Sequence, residues 1–215
     1  MNNEVRPLVF LIDDDESVRE GLGDLLRSVG VGVQTFKSAQ EFLDIKRPNV
    51  PGCIVLDVRL PGRSGLDFQG MLTSLGVELP IIFISGHSDI PISVHAMKSG
   101  AIEFLTKPVR EQELLDAVQK GIEHDRARRR DAAIVADVKA RYDSLTPRER
   151  EIMSMLITGK MNKQMAGQAD LSEATIKVHR SNLMRKMRAK TLVELVRMAD
   201  RLGLSPGETA SKPKQ

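Results

Sequence analysis

Through the first half of the chain, short apolar runs alternate with longer stretches of helical periodicity. The runs at 8–12, 31–36, 53–56, 81–84 and 103–105 have the length and composition of strands. Between the first two, Val18, Leu22, Leu25, Leu26 and Val29 fall on one face of a helix over 17–29, and Gly30 stands where a helix-ending glycine is expected. A further helix is expected over 89–99. Strands alternating with helices in this way predict an α/β doubly wound five-stranded parallel sheet with helices on both faces. In such a sheet a ligand binds outside the carboxyl ends of the strands, where the strand order reverses.

Beyond Pro108 the pattern turns helical from Arg110, with Leu114, Leu115, Val118 and Ile122 on one stripe. It then becomes strongly polar. Residues 124–142 hold no Pro or Gly, which favours a long linker helix over a solvated charged tether, while charges at the apolar positions near 125 and 129 speak against a coiled-coil seam. Four more helices follow, at 147–157, 162–168, 173–187 and 191–202. Thr146, Pro147 and Glu149 form the start signal of the first, Gly159 ends it, and Ser172 caps the third. Ile152, Met153, Leu156 and Ile157 on one helix face Ile176, Leu183 and Met187 on another as a core, so that 162–187 reads as helix, turn, helix. The organisation expected is 1–123, a linker helix over 124–143, an all-α four-helix domain over 144–204, and a disordered tail over 205–215.

Composition narrows the function. No apolar run approaches the roughly 18 residues of a membrane span, and Met1-Asn2-Asn3-Glu4 is unlike the start of a secretory signal. The single Cys53 allows no internal disulfide and fits a reducing cytoplasm. The formal net charge of +3 hides a division: residues 1–123 hold 12 Lys/Arg against 18 Asp/Glu, a net of −6, and residues 124–215 hold 20 against 11, a net of +9. The basic half has Tyr142 as its one aromatic residue, so it has no platform for stacking single-stranded bases. Duplex DNA is its expected partner.

The chemistry of the acidic half gathers at the expected strand ends. The first strand ends in Asp13-Asp14-Asp15-Glu16, the third in Asp57, the fourth in Ser85, and the fifth runs into Lys107-Pro108. Each alone has an ordinary explanation: Asp15 or Glu16 as a helix N-terminal charge, Asp57 as a turn former, Lys107 as a surface cation. Together, at four strand ends on one rim, they form a site. Clustered carboxylates repel one another and become tolerable around a hard divalent cation, for which Mg²⁺ is expected. With the metal and Lys107 neutralising a phosphoryl group, an aspartate oxygen attacks phosphorus in line to form an aspartyl phosphate.

In the basic half, Lys177, Val178, Arg180, Ser181 and Arg185 stand on the exposed face of the 173–187 helix, with Lys186, Arg188 and Lys190 at its end. Arg and Lys read guanine in the major groove, Val178 suits a thymine methyl, and the remaining cations meet phosphates. The alternative is a solvated charged face. His179 borders the core stripe and is expected to be a packed, hydrogen-bonded imidazole.

Residues 7–123 resemble the receiver domain of two-component response regulators, through Asp13-Asp14, Leu56-Asp57-Val58-Arg59-Leu60-Pro61-Gly62, Ser85 and Lys107-Pro108. Residues 144 to about 200 resemble the LuxR-type helix-turn-helix domain, through Leu145-Thr146-Pro147-Arg148-Glu149-Arg150-Glu151, Gly159 with Asn162-Lys163, and Thr175-Ile176-Lys177-Val178-His179. The pair resembles the NarL/FixJ family, and the segments Gly86-His87 and Met97-Lys98-Ser99-Gly100-Ala101 lean to its FixJ branch. The resemblance implies that Asp57 is the phosphoacceptor, that Asp14 and Asp57 ligate Mg²⁺ directly with Asp13 acting through a water and Arg59 through its backbone carbonyl, and that Lys107-Pro108 is cis. Ser85, where Thr is commoner, and Phe104, where Tyr is commoner, are its implied switch residues. Arg59 and His87 are expected beside the pocket mouth. The implied partners are a sensor histidine kinase, double-stranded promoter DNA, RNA polymerase and, on phosphorylation, a second copy of the chain, with no membrane and no enzymatic turnover. Met165 and the turn Gln168-Ala169-Asp170 depart from the usual pattern.

Two other readings compete. An aspartyl-phosphate phosphatase would need a second acid two residues after its nucleophile, and position 59 is Arg. A receiver used for dimerisation without phosphorylation would have no need of the complete pocket.

Overall fold

The computed structural model describes residues 6–86 and 90–204. The chain divides into two compact units, Met1–Arg129 and Arg130–Gln215. His87, Asp89 and the tail over 205–215 lie outside the described residues.

The first unit is built from β1 (Leu8–Ile12), α1 (Glu16–Ser28), β2 (Gly32–Phe36), α2 (Ala39–Asp44), β3 (Gly52–Asp57), a small hairpin β4 (Arg59–Leu60) and β5 (Arg63–Ser64), α3 (Gly65–Ser74), β6 (Ile81–Ser85), α4 (Ile90–Lys98), β7 (Glu103–Thr106) and the start of α5 (Glu111–Asp143). The main sheet has the order β2-β1-β3-β6-β7 and every pair in it is parallel. Strand order therefore reverses between β1 and β3, which share a register that sets Ile12 opposite Leu56.

The sheet is apolar on both faces because helices cover both. One face packs Phe10, Ile12, Ile54, Leu56 and Phe83 against Phe42 and Phe68. The other packs Val9, Leu11, Val55, Ile82 and Ile84 against Leu26, Leu114 and Val118. β3 and β6 are buried at every position, as central strands of a doubly wound sheet must be. Gly30, at φ 83°, follows α1 as the sequence predicts.

The second unit takes in the last turns of α5, then α6 (Pro147–Ile157), α7 (Asn162–Ala169), α8 (Glu173–Met187) and α9 (Leu192–Arg201). Val138 and Tyr142 of α5 join a core of Ile152, Met153, Leu156, Met165, Ile176, Leu183, Met187 and Leu195. The α6 start is a full capping box: Glu149 N–H donates to Thr146 Oγ1 at 3.2 Å, and Thr146 N–H donates to Glu149 Oε2 at 2.8 Å. The unusual turn resolves simply. Asp170 caps α7 in the left-handed region (φ 51°), which Asp tolerates better than most residues, and Ser172 then caps α8 by accepting from Thr175 N–H at 3.1 Å. No helix among the described residues is long and apolar enough to cross a membrane.

Candidate functional site

The first site lies at the carboxyl ends of β1, β3, β6 and β7. Asp13 follows β1 and Asp57 ends β3, so their common register brings them side by side. Both are buried, Asp13 completely and Asp57 to 6% exposure, while Asp14 is exposed at the rim. Lys107, just past β7, reaches in with Nζ 2.7 Å from Asp13 Oδ2 and 3.3 Å from Asp57 Oδ2. Its peptide N–H donates at 2.7 Å to the carbonyl of Ser85, which ends β6 and is buried. The Lys107-Pro108 bond is cis. Carboxylate oxygens of Asp13, Asp14 and Asp57 all lie within 4.8 Å of one another. Hard oxygen donors at that spacing fit a divalent cation with oxygen preference.

The electrostatics show what such a cluster costs. Burial pushes the Asp57 carboxyl above its ordinary value and Asp13 pushes it further, while Lys107 and the Arg59 N–H, 3.3 Å from Oδ1, pull it back. Burial alone would lower Lys107, but its hydrogen bonds and proximity to Asp13 and Asp57 raise it instead. An acid raised in the folded state binds more protons there than when unfolded, so the contribution of Asp57 to metal-free stability is greatest at low pH and falls as pH rises through its folded value. Asp57→Asn is therefore expected to stabilise the metal-free protein by on the order of 1 kcal/mol at neutral pH. It should also flatten that slope. Thermal melts from pH 4 to 8 in EDTA test this, and an unchanged melting temperature would contradict it.

The other expected site residues are placed as follows. Phe104 is half-buried on β7, its ring 6.3 Å from that of Phe83. Arg59 is exposed on β4, and His87 lies outside the described residues. Asp15 is a helix cap: its Oδ1 accepts from Ser17 N–H at 2.9 Å and Ser17 Oγ at 2.6 Å, and these bonds lower its pKa.

Two residues of the pocket were not foreseen. Arg19 Nη1 donates at 2.8 Å to the carbonyls of both Asp13 and Asp14, which holds the loop carrying them. Its signal was a cation in the first turn of α1, where the helix dipole favours acids. Gly65 opens α3 against β3, and a Cβ there would lie 2.6 Å from the Asp57 carbonyl oxygen.

The second site is the outer face of α8. Lys177, Val178, Ser181 and Arg185 are exposed on it, Val178 to 60%. Arg180 is half-buried, with Nη1 3.3 Å from Asn162 Oδ1 at the start of α7. Lys186 departs from the expectation: it is turned inward, with Nζ 2.7 Å from the buried Glu149 carboxylate and 3.4 Å from the Ser144 carbonyl. Arg188 and Lys190 are exposed. His179 is half-buried, but the hydrogen bond expected for it is not found among the described residues.

Comparison with known proteins matches a family to each of the two units. Residues 9–119 match the response regulator receiver domain, and residues 143–199 match the bacterial regulatory proteins of the luxR family. Nodulation protein W of Bradyrhizobium diazoefficiens is 50% identical over 95% of this chain and 90% of its own length. Transcriptional regulatory protein FixJ of the same organism is 41% identical over 91% of this chain and 96% of its own. The solved structure of response regulator StyR is 47% identical, with a TM-score of 0.82 over 92% of this chain and all of that one. A receiver joined to a LuxR-type DNA-binding domain defines a two-component transcriptional response regulator. The chain belongs to the NarL/FixJ family of these regulators.

Proposed function

We propose that Asp57 accepts a phosphoryl group from a sensor histidine kinase, and that phosphorylation drives receiver dimerisation and binding of α8 to promoter DNA. The observation that carries this reading is the convergence of Asp13, Asp57 and Lys107 at the point where strand order reverses. Mg²⁺ would be held by Asp14 and Asp57, with Asp13 through a water and the Arg59 carbonyl, and it supplies positive charge to offset that of the phosphoryl oxygens. An Asp57 oxygen forms the new bond to phosphorus as the bond to the kinase histidine nitrogen breaks. Lys107 leaves its ion pair with Asp57 to meet a phosphoryl oxygen, and the Ser85 hydroxyl donates to another. Ser85 moving inward frees space for Phe104, which changes the surface of β7 and α4.

In this reading, residues 1–123 receive the signal, 124–143 link, and 144–204 bind DNA, with RNA polymerase as the downstream partner in the cytoplasm. A dimer sets two α8 helices at half-sites about 10 to 10.5 base pairs apart, or a multiple of it. Linking two weak sites raises affinity without new base contacts. Sedimentation of the full chain with Mg²⁺, with and without beryllofluoride, tests the dimer step. A shift to dimer that Ser85→Ala diminishes is expected; a monomer under both conditions would refute it.

Base reading by α8 has its own signature. Lys177→Ala is expected to cost about 1–3 kcal/mol on a specific site and little on random duplex. Lys190→Ala should weaken both alike. Binding titrations across a salt series check this, and equal losses for Lys177→Ala on all sequences would assign that lysine to phosphate.

A further inference from the structure

Asp125 lies in the polar stretch of α5 yet is fully buried. Its carboxylate is saturated with donors. Oδ2 accepts from the Gly52 N–H at 3.0 Å and from Arg129 Nε at 2.6 Å, and Oδ1 accepts from Arg128 Nε and Nη2 at 3.1 and 2.6 Å. Both guanidinium groups reach further: Arg128 Nη1 meets Glu78 Oε2 at 2.5 Å, and Arg129 Nη1 meets Asn49 Oδ1. One carboxylate thus joins α5 to the loop before β3, to β3 itself and to the loop before β6.

The anchor point on β3 lies close against β1. A Cβ at Gly52 would lie 2.1 Å from the Leu8 carbonyl oxygen, so the peptide that donates to Asp125 is pressed against β1. Gly52 opens the strand that Asp57 ends. Beyond Arg129, residues 130–137 of α5 are all exposed. A helical stretch with no buried face is marginal by itself and takes its order from what holds its ends.

We infer that Asp125, with Arg128 and Arg129, is a latch that roots the linker helix on the first residue of β3 and couples the state of Asp57 to DNA binding. The coupling half of this inference rests on the proposed phosphorylation of Asp57; the latch itself does not. Asp125 is a positioning residue that touches neither phosphate nor DNA. A buried carboxylate shared by two guanidinium groups holds as a unit, because losing one partner leaves charge unpaired.

Hydrogen exchange on the full chain tests the latch, using Asp125→Asn and the milder Arg129→Lys, which keeps the charge but loses the planar fork. Amides over 126–137 should exchange about tenfold faster in Asp125→Asn and faster to a lesser degree in Arg129→Lys. Labelling of Asp57 by acetyl phosphate should stay within about twofold of wild type, which a general loss of receiver structure would not allow. The gain in DNA affinity on beryllofluoride binding should fall by about fivefold or more in Asp125→Asn. Unchanged exchange over 126–137 in both variants would overturn the latch, and opened linker amides with an intact gain would overturn the coupling. A wild type that shows no gain would refute the functional reading instead, and the exchange result would still decide the latch.

Discussion

Treated with Mg²⁺ and acetyl phosphate, the wild-type chain is expected to acquire an alkali-labile phosphoryl group, and Asp57→Asn to acquire none. Each other acid near the pocket lacks something that Asp57 has. Asp13 is completely buried, with one oxygen on Lys107 and the other accepting the Asp15 N–H at 2.9 Å. Asp14 is exposed and, among the described residues, makes no ion pair with Lys107. Asp57 has 6% exposure and Lys107 at 3.3 Å, and burial, with the neighbouring Asp13, raises its pKa despite Lys107. An incoming divalent cation provides compensating charge, so metal binding relieves an electrostatic cost already present in the fold and readies Asp57 for the phosphoryl group. Asp15→Asn is the control. Asn is an equally good cap, so α1 should persist and labelling should be unchanged. Mass spectrometry of intact protein checks all three, and full labelling of Asp57→Asn would refute the assignment.

Lys186→Ala is expected to destabilise the C-terminal unit by about 2–3 kcal/mol, below the range for fully buried pairs because Lys186 keeps some contact with water. Glu149 is buried and holds the α6 cap through Thr146 while pairing with Lys186 of α8. Removing Lys186 leaves its carboxylate buried beside neutral donors alone. Burial would raise Glu149, but Lys186 and the Thr146 peptide outweigh it and hold the pKa below the ordinary value. An acid lowered in the folded state contributes stability that is present above its unfolded pKa and is lost as pH falls through the folded one. The Lys186→Ala penalty should therefore shrink in acid. Glu149→Gln combined with Lys186→Ala should recover part of the loss, since no unpaired charge remains. Tyr142 is the chain's one tyrosine and there is no tryptophan. It packs in this unit's core, so its fluorescence during urea unfolding reports this unit alone. A change under about 0.5 kcal/mol, the ordinary surface range, would contradict the role given to the pair.

Much of this was legible in the sequence, for identifiable reasons. The strands announce themselves as apolar runs because a doubly wound sheet buries both faces, and the candidate site residues were sought at their ends because such a fold binds ligands there. The α6 and α8 starts were readable because Thr146 and Ser172 accept from the first backbone donors close by in sequence, and Pro147 fits a first helical position where no N–H is needed. What was illegible depends on partners distant in the chain. Lys186 looked like another cation on a basic helix, and its partner Glu149 is 37 residues away. Asp125 looked like a charge that interrupts an apolar seam, and nothing local reveals that Gly52 lies against it. The β4 and β5 hairpin has two residues per strand, too few for any period to show.

In the proposed function the state of Asp57 controls DNA binding. That control is tested most directly by measuring the affinity of the full chain for a duplex selected from a random pool, with Mg²⁺ alone and with Mg²⁺ plus beryllofluoride, at fixed salt. Beryllofluoride is expected to tighten binding by about tenfold or more in the wild type. Asp57→Asn should show no change. Equal affinity of the wild type under both conditions would contradict it.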